Sequence, residues 1–217
     1  MKRFLSFVLI AMMLLTVGAY AESSISTLQE MYAQAELLMA TGDYSGAAVK
    51  FEALGAYSDA SQTALYCKAI AAAETLEMYD IAVSAFNDLG DFKDSKQMAT
   101  YYTARGYQAV GDSIDISTAS YSDLELAKFS YDKGADTYAG LALFKDCLTR
   151  MSECQTQSKA VEAAQSAILI EAKYQAALAL EEGGMYQWAI DGFKNIQDYK
   201  DSKEHITACE NAITESK

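Results

Sequence analysis

The sequence of 217 residues contains no proline, one histidine and one tryptophan. Without proline few positions must break a helix, and a chain rich in Ala, Leu, Glu, Gln, Lys and Met favours helix over a β-sandwich or barrel. A single histidine and the absence of a recognisable catalytic motif argue against most hydrolases and metalloenzymes. We therefore expect an all-α protein that is not an enzyme and holds neither a metal nor another cofactor.

Basic residues are also scarce, since 17 Lys and Arg stand against 30 Asp and Glu, for a net charge of −13. Nucleic acids and anionic membrane surfaces are bound by clustered Lys and Arg. The charge balance therefore predicts that neither is a partner.

The amino terminus has the pattern of an export signal. A basic Met-Lys-Arg start is followed by an apolar run over 4–17 and then by Ala19-Tyr20-Ala21, which fits the small-x-small cleavage rule. We predict cleavage between Ala21 and Glu22, giving a secreted chain 22–217 that does not enter a membrane. The alternative is an uncleaved signal anchor, because 4–21 provides 18 mostly apolar residues, the lower limit for a spanning helix.

An internal repeat runs through the rest of the chain. Each copy has a tyrosine, then a small residue three positions later, an aromatic residue after seven, a second aromatic after thirteen and an aspartate after fifteen. Offsets of three and seven place side chains on one helix face. The third copy is the weakest match. The copies are Tyr44, Ala47, Phe51, Tyr57 and Asp59; Tyr79, Ala82, Phe86, Phe92 and Asp94; Tyr131, Gly134, Tyr138, Phe144 and Asp146; Tyr186, Ala189, Phe193, Tyr199 and Asp201.

Glycine and aspartate mark the predicted helix ends. Glycine adopts the left-handed conformation that closes a helix, and an aspartate followed three residues later by Gln or Glu forms a capping box. The unit is therefore predicted to be two antiparallel helices joined by a short turn. The end glycines are Gly42, Gly55, Gly90 and Gly184, and the predicted boxes are Asp59 with Gln62, Asp94 with Gln97 and Asp201 with Glu204.

At these residues the chain resembles the tetratricopeptide repeat family, with Gly42-Asp43-Tyr44 as its Gly-Asp-Tyr step. It resembles most the secreted bacterial variety with a Leu-Gly-Asp-Tyr-Lys-Asp-Ser linker, here 89–95. The resemblance covers 29–104 and 172–212. It implies a right-handed α-solenoid of about four helix-turn-helix units, although a capping Asp replaces the family's closing proline and Ala35 and Ala177 replace glycines.

The copies are unevenly spaced, which places two irregular segments in one domain over 22–217. The Ser/Thr/Asp-rich stretch 113–123 is predicted to be an exposed loop in the third unit. The segment 147–173 is predicted to be an extra helix or one long helix, with Gln157-Ser158 as the place for a break. The units are then 29–58, 59–93, 94–145 and 146–217.

The four cysteines are predicted to be free thiols. Cys67, Cys154 and Cys209 occupy one repeat position, and equivalent positions in stacked units lie about 10 Å apart, beyond the roughly 7 Å Cα limit of a disulfide. Cys147 lies two helical turns from Cys154. His205 and Cys209 have the i, i+4 spacing of a two-ligand metal arm. Because no second arm exists, we interpret that pair as helix packing.

The carboxylates have a structural interpretation as well. The cluster Asp88, Asp91 and Asp94 lacks a calcium-loop pattern, so capping and solubility explain it better. The adjacent pair Glu181-Glu182 has no nucleophile opposite it. A catalytic role for loop carboxylates such as Asp115 or Asp123 is the weakest of the hypotheses.

Tyrosines outside the repeat register, Tyr101, Tyr107 and Tyr121, are candidates for an interface. In the resembled family a clamp of basic and amide side chains on the concave face holds a terminal carboxylate. None of the corresponding positions is basic here, so that clamp is not carried over, and an acidic, aromatic groove would suit a basic or apolar segment. These positions are Tyr32, Glu36, Met39, Cys67, Ala71, Glu74, Tyr174, Leu178 and Glu181.

The sequence therefore predicts an exported, non-catalytic repeat protein that binds or scaffolds a protein or peptide, since a solenoid presents an extended surface. The alternative is a structural or accessory cell-envelope protein that recognises wall polymer.

Overall fold

The computed structural model describes residues 27–215, so the predicted signal peptide and its cleavage between Ala21 and Glu22 lie outside the described residues. The described chain is all-α and holds no strand, which confirms the expected class for these residues. Residues 27–40 are helical and form α1. The other helices are α2 (Tyr44–Ala53), α3 (Ala60–Leu76), α4 (Tyr79–Leu89), α5 (Ser95–Asp112), α6 (Tyr121–Ala139), α7 (Cys147–Glu182), α8 (Tyr186–Lys194) and α9 (Ser202–Glu215).

The chain packs as two compact units that divide between Gly106 and Tyr107, within α5. The prediction of a single domain stays a prediction. In the first unit the repeat residues Ala47 and Phe51 of α2 are fully buried against Ala35 of α1 and Cys67 of α3. In the second unit Ala189 and Phe193 of α8 pack in the same way with Ala177 of α7 and Cys209 of α9.

The turn before each repeat aspartate has the same backbone conformation in all four copies. The residue preceding the aspartate has a positive φ between 46° and 51°, in the left-handed region that non-glycine residues seldom adopt. Two i to i+3 hydrogen bonds close each turn, as from the Tyr199 N–H to the Ile196 carbonyl and from the Ser202 N–H to the Tyr199 carbonyl, both about 3 Å. The four residues are Ser58, Lys93, Lys145 and Lys200.

The end glycines behave as the sequence predicts, since Gly42, Gly55, Gly90 and Gly184 all have positive φ between 56° and 86°. The predicted loop is shorter than expected. Residues 113–120 are non-helical, but α6 begins at Tyr121 because Ser120 caps it and accepts a hydrogen bond from the Asp123 N–H at 3.2 Å. Tyr131, unlike the other repeat tyrosines, therefore lies inside a helix rather than at its start.

The irregular segment 147–173 belongs to one unbroken helix of 36 residues, so the suggested break at Gln157-Ser158 is wrong. Ser158 is buried, and its hydroxyl donates to Asp132 of α6 at 2.5 Å, which holds this point of α7 in the core. At 3.6 residues per turn, Cys154 and Val161 lie on nearly the opposite face of α7 from Tyr174 and Ala177. The first half of α7 accordingly packs on α6 and the second half on α8.

Candidate functional site

At Asp59 the predicted capping bond is replaced by a bond between helices, and Asp94 and Asp201 form bonds of the same kind. Asp59 stands at the N-cap of α3, but its carboxylate makes no bond to the helix backbone and instead accepts a hydrogen bond from the Tyr32 hydroxyl. Tyr66 donates to Asp94 in the same way at 2.5 Å, and Tyr174 donates to Asp201. Each bond joins a tyrosine of one helix to the aspartate that starts the next but one.

In the third copy Asp146 binds the Arg150 guanidinium at 2.7 Å, one turn along α7. Within the same unit the Arg150 guanidinium also donates to Gln108 of α5, at 3.3 Å. The Tyr138 hydroxyl donates to that same amide oxygen, at 3.0 Å. These hydrogen bonds connect α5, α6 and α7 within the irregular repeat.

The tyrosine–aspartate bonds contribute to raised pKa values of the tyrosines. Burial and then the bond to Asp59 raise the pKa of Tyr32 to about 12. The bond to Asp201 and then burial raise the pKa of Tyr174 to about 12, and the same bond lowers the pKa of Asp201. The stable pairing is a neutral phenol donating to a carboxylate, so these tyrosines are structural ties and are not poised to lose a proton near neutral pH.

Several of the positions predicted to line a concave groove make contacts within the chain. Cys67 is fully buried and Tyr174 is 6 % exposed, so neither is available to a ligand. Glu74 accepts a hydrogen bond from the Tyr102 hydroxyl at 2.8 Å, and Glu181 lies 2.6 Å from the Nδ1 atom of His205. Both carboxylates thus contact the following helices of the chain, and the acidic, aromatic groove stays a prediction.

The four cysteines are free and buried, at 1 % exposure or less. Burial raises the pKa of Cys67, Cys154 and Cys209 to about 11, so their thiols stay protonated at neutral pH. A protonated, inaccessible thiol is a poor nucleophile and a poor metal ligand. These cysteines therefore fill the core as small apolar side chains.

His205 packs within the last repeat. Its ring stacks on Phe193 with centroids 4.9 Å apart, and its Nε2 atom lies 3.5 Å from Asp201. His205 and Cys209 therefore pack between α7, α8 and α9, and the His205 ring also makes polar contacts there. Over residues 27–215 no group of three or more His, Cys, Asp and Glu side chains is arranged to hold a metal ion.

The other candidate carboxylates form local contacts. Asp115 accepts hydrogen bonds from the backbone and the hydroxyl of Ser117, at 3.0 and 2.7 Å, which lower its pKa. Asp123 accepts from the Ser120 hydroxyl at 2.7 Å. Asp91 forms an exposed ion pair with Lys96 at 2.5 Å, and Asp88 is exposed. These carboxylates stabilise turns or lie in solvent at the surface.

The three tyrosines outside the register have different surroundings. Tyr101 is 3 % exposed and stacks edge-on with Tyr102, so it belongs to the core and the interface interpretation is wrong for it. Tyr107 is half-buried, whereas Tyr121 is 38 % exposed. Only Tyr121 among them presents much of its ring to a partner.

An apolar groove of about 350 Å³ lies between α2 and α3, and Ala71 is its one lining residue among the predicted groove positions. Its most exposed lining side chains are Val49 at 66 % and Leu76 at 60 %. The Lys68 ammonium is held by Glu52 in an ion pair. The lining residues are Ser45, Ala48, Val49, Lys68, Ala71, Ala72, Thr75 and Leu76.

Comparison with known proteins identifies no relative of this chain, because no family model, no curated protein and no solved structure matches it. Among the residues that the structure describes, no helix is both long enough and apolar enough to cross a membrane.

Proposed function

We propose that this chain is an exported, non-catalytic repeat protein, built as a right-handed solenoid of tetratricopeptide-like units, that binds a protein through a short peptide segment. The observation that carries the proposal is the groove between α2 and α3. Val49 and Leu76 expose most of their side chains there, whereas Phe51 of α2 and Ile70 of α3 are buried. Exposed apolar surface gathered in a groove is typical of an interaction site.

The charge around the groove favours a cationic segment. Lys68, the one cation lining the groove, is neutralised by Glu52. Asp43 and Glu77, each within two residues of a lining residue, are exposed carboxylates, and the chain carries a net charge of −13. We therefore commit to a peptide that places an apolar side chain in the groove and basic side chains at its rim.

The test is fluorescence anisotropy with a labelled peptide of alternating Leu and Lys residues. We expect saturable binding that weakens with salt, because exposed charges are screened within about 8 Å at physiological ionic strength. A neutral substitution, Leu76→Gln, should weaken binding about tenfold, since a buried Leu contributes roughly 1.5–3 kcal/mol. The control is Leu148→Gln, because Leu148 of α7 is 50 % exposed and lies outside the groove.

Equal binding of the peptide by the Leu76→Gln and Leu148→Gln proteins would show that the groove is not the binding site. Binding to purified cell wall without any binding of the peptide would favour the alternative, a structural envelope protein that recognises wall polymer.

A further inference from the structure

A second cavity, of about 420 Å³, lies in the last repeat beside the turn between α8 and α9. Ile170 and Lys173 of α7 form one side, and residues 194–199 form the other. The Ile196 side chain is 8 % exposed, which gives the cavity an apolar base. Lys194, Gln197 and Lys173 are exposed and give it a polar rim.

The cations of this cavity are unusual for so acidic a chain. Lys200 is paired with Glu171 and Lys203 with Asp198, both at 2.7 Å, so the nearby carboxylates are already neutralised. Lys173 and Lys194 form no ion pair with any described residue. Two lysines without an ion-pair partner among the described residues therefore line one cavity.

The other repeats show that the scaffold does not require these lysines. Lys173 immediately precedes the tyrosine that binds the repeat aspartate, and the residue at that place is Met31 in the first copy and Leu65 in the second. Lys194 follows the buried phenylalanine, where the first copy has Glu52 and the second Asn87.

Gln197 likewise stands where the first two copies have Gly55 and Gly90, which close the preceding helix. The polar, cationic rim is thus a property of the last repeat and not of the fold.

We propose that this cavity binds a phosphoryl group attached to a small apolar moiety. Two compact ammonium charges match a phosphate monoester, which carries about −1.5 to −2 at neutral pH. A single carboxylate ligand is bound better by the planar guanidinium of an arginine, and no arginine is among the described residues that line the cavity. Ile170 and Ile196 would contact the apolar part, and the Gln197 amide would donate to a phosphoryl oxygen.

The net negative charge of the chain does not oppose this site at contact distance. Screening limits the field of remote carboxylates to about 8 Å at physiological ionic strength. Asp198, the one carboxylate among the described residues that line the cavity, is paired with Lys203 at 2.7 Å. The proposal does not depend on the peptide-binding groove, which lies in the other unit of the chain.

The test is a titration of the whole protein with phenyl phosphate at constant ionic strength, followed by the NMR shifts of Ile170 and Gln197. We expect saturable shifts at both residues. Lys173→Met and Lys194→Asn introduce side chains found at these places in the other copies, and each should weaken binding at least tenfold. Lys159→Met is the control, since Lys159 is an exposed lysine of α7 outside the cavity, and it should change the affinity less than twofold.

Benzoate that binds as tightly as phenyl phosphate would overturn the phosphoryl assignment. The site itself would be refuted by shifts that do not saturate, or by a Lys173→Met protein that binds like the wild type. Amide spectra of each variant, recorded without ligand, establish that its fold is intact before the affinities are compared.

Discussion

Each of the tyrosines that donate a hydrogen bond to a repeat aspartate acts through both its ring and its hydroxyl. Tyr32 packs edge-on against Phe51, with centroids 5.2 Å apart, while its hydroxyl binds Asp59. Tyr174 packs against Phe193 at 5.8 Å and binds Asp201. The aspartate at the start of a helix therefore fixes the position of a ring in the core.

Removal of the Tyr32 hydroxyl tests the contribution of its hydrogen bond to Asp59. Tyr32→Phe keeps the ring but leaves the Asp59 carboxylate without its donor, so we expect the free energy of unfolding to fall by about 1–3 kcal/mol. Urea denaturation followed by circular dichroism measures the change. The matched control is Tyr57→Phe, because Tyr57 also packs against the Tyr32 ring but is more peripheral, and it should cost less than about 0.5 kcal/mol. Equal losses in the two proteins would contradict a role for the hydroxyl.

At the scale of elements, α7 is the unusual part of the molecule because its two halves bury opposite faces. A network of hydrogen bonds and an ion pair joins α7 to the turn that precedes α9, and it lies just before the second buried face of α7. Glu171 of α7 accepts a hydrogen bond from the Tyr199 hydroxyl at 2.5 Å and forms an ion pair with Lys200 at 2.7 Å. Lys200 also lies over the Tyr174 ring, 4.8 Å from its centroid.

This network gives the packing of α7 on the last turn a pH dependence. The bonds from Lys200 and then from Tyr199 lower the pKa of Glu171 to about 2, below the ordinary value near 4.3 of an unfolded chain. A lowered pKa stabilises the folded state fully above the unfolded value, and this contribution is lost as pH falls from about 4.5 towards 2. The protection factors for amide hydrogen exchange over 196–201, which correct for the intrinsic pH dependence of exchange, should therefore fall in that range.

The matched variant is Glu171→Gln, which keeps the size of the side chain but cannot ionise. Its protection factors over 196–201 should already be low at pH 6 and should change less between pH 5 and pH 2.5 than those of the wild type. An identical pH response in both proteins would mean that other carboxylates control this turn.

At the scale of the whole molecule, both units are held by small, closely packed side chains. Ala47, Ala82 and Ala189 are fully buried, and cysteines at 1 % exposure or less take similar core places in both units. Each thiol is covered by the packing of its own unit, so none becomes accessible without local or global opening.

Thiol chemistry therefore reports on the integrity of both units. We expect the native protein to show almost no reaction with a disulfide reagent at pH 8 and four equivalents in denaturant, because burial both excludes the reagent and raises the pKa of the thiols. Fewer than four equivalents in denaturant without reductant would reveal a disulfide. Rapid reaction of the native protein would show that at least one unit opens readily.

The sequence alone determined the features that depend on neighbours along the chain. The absence of proline and the periodic apolar residues predicted helices, and the glycines of positive φ marked where four turns lie, because helix formation and termination are local. The repeat offsets also identified the buried Ala, Phe and Cys positions, since a fixed offset on a helix returns to the same face.

Tertiary structure decided what depends on contacts between distant segments. The Asp59 carboxylate could cap its own helix or accept the Tyr32 hydroxyl, and only the approach of α1 determined which bond forms. Likewise, no periodicity in α7 indicated that its buried face changes sides, since that change follows from α6 packing on one half and α8 on the other. Apart from Ala71, the lining of the groove was missed, as was the lysine-lined cavity, for the same reason: each is a gap between helices, and its lining comes from segments about 20 or more residues apart in sequence.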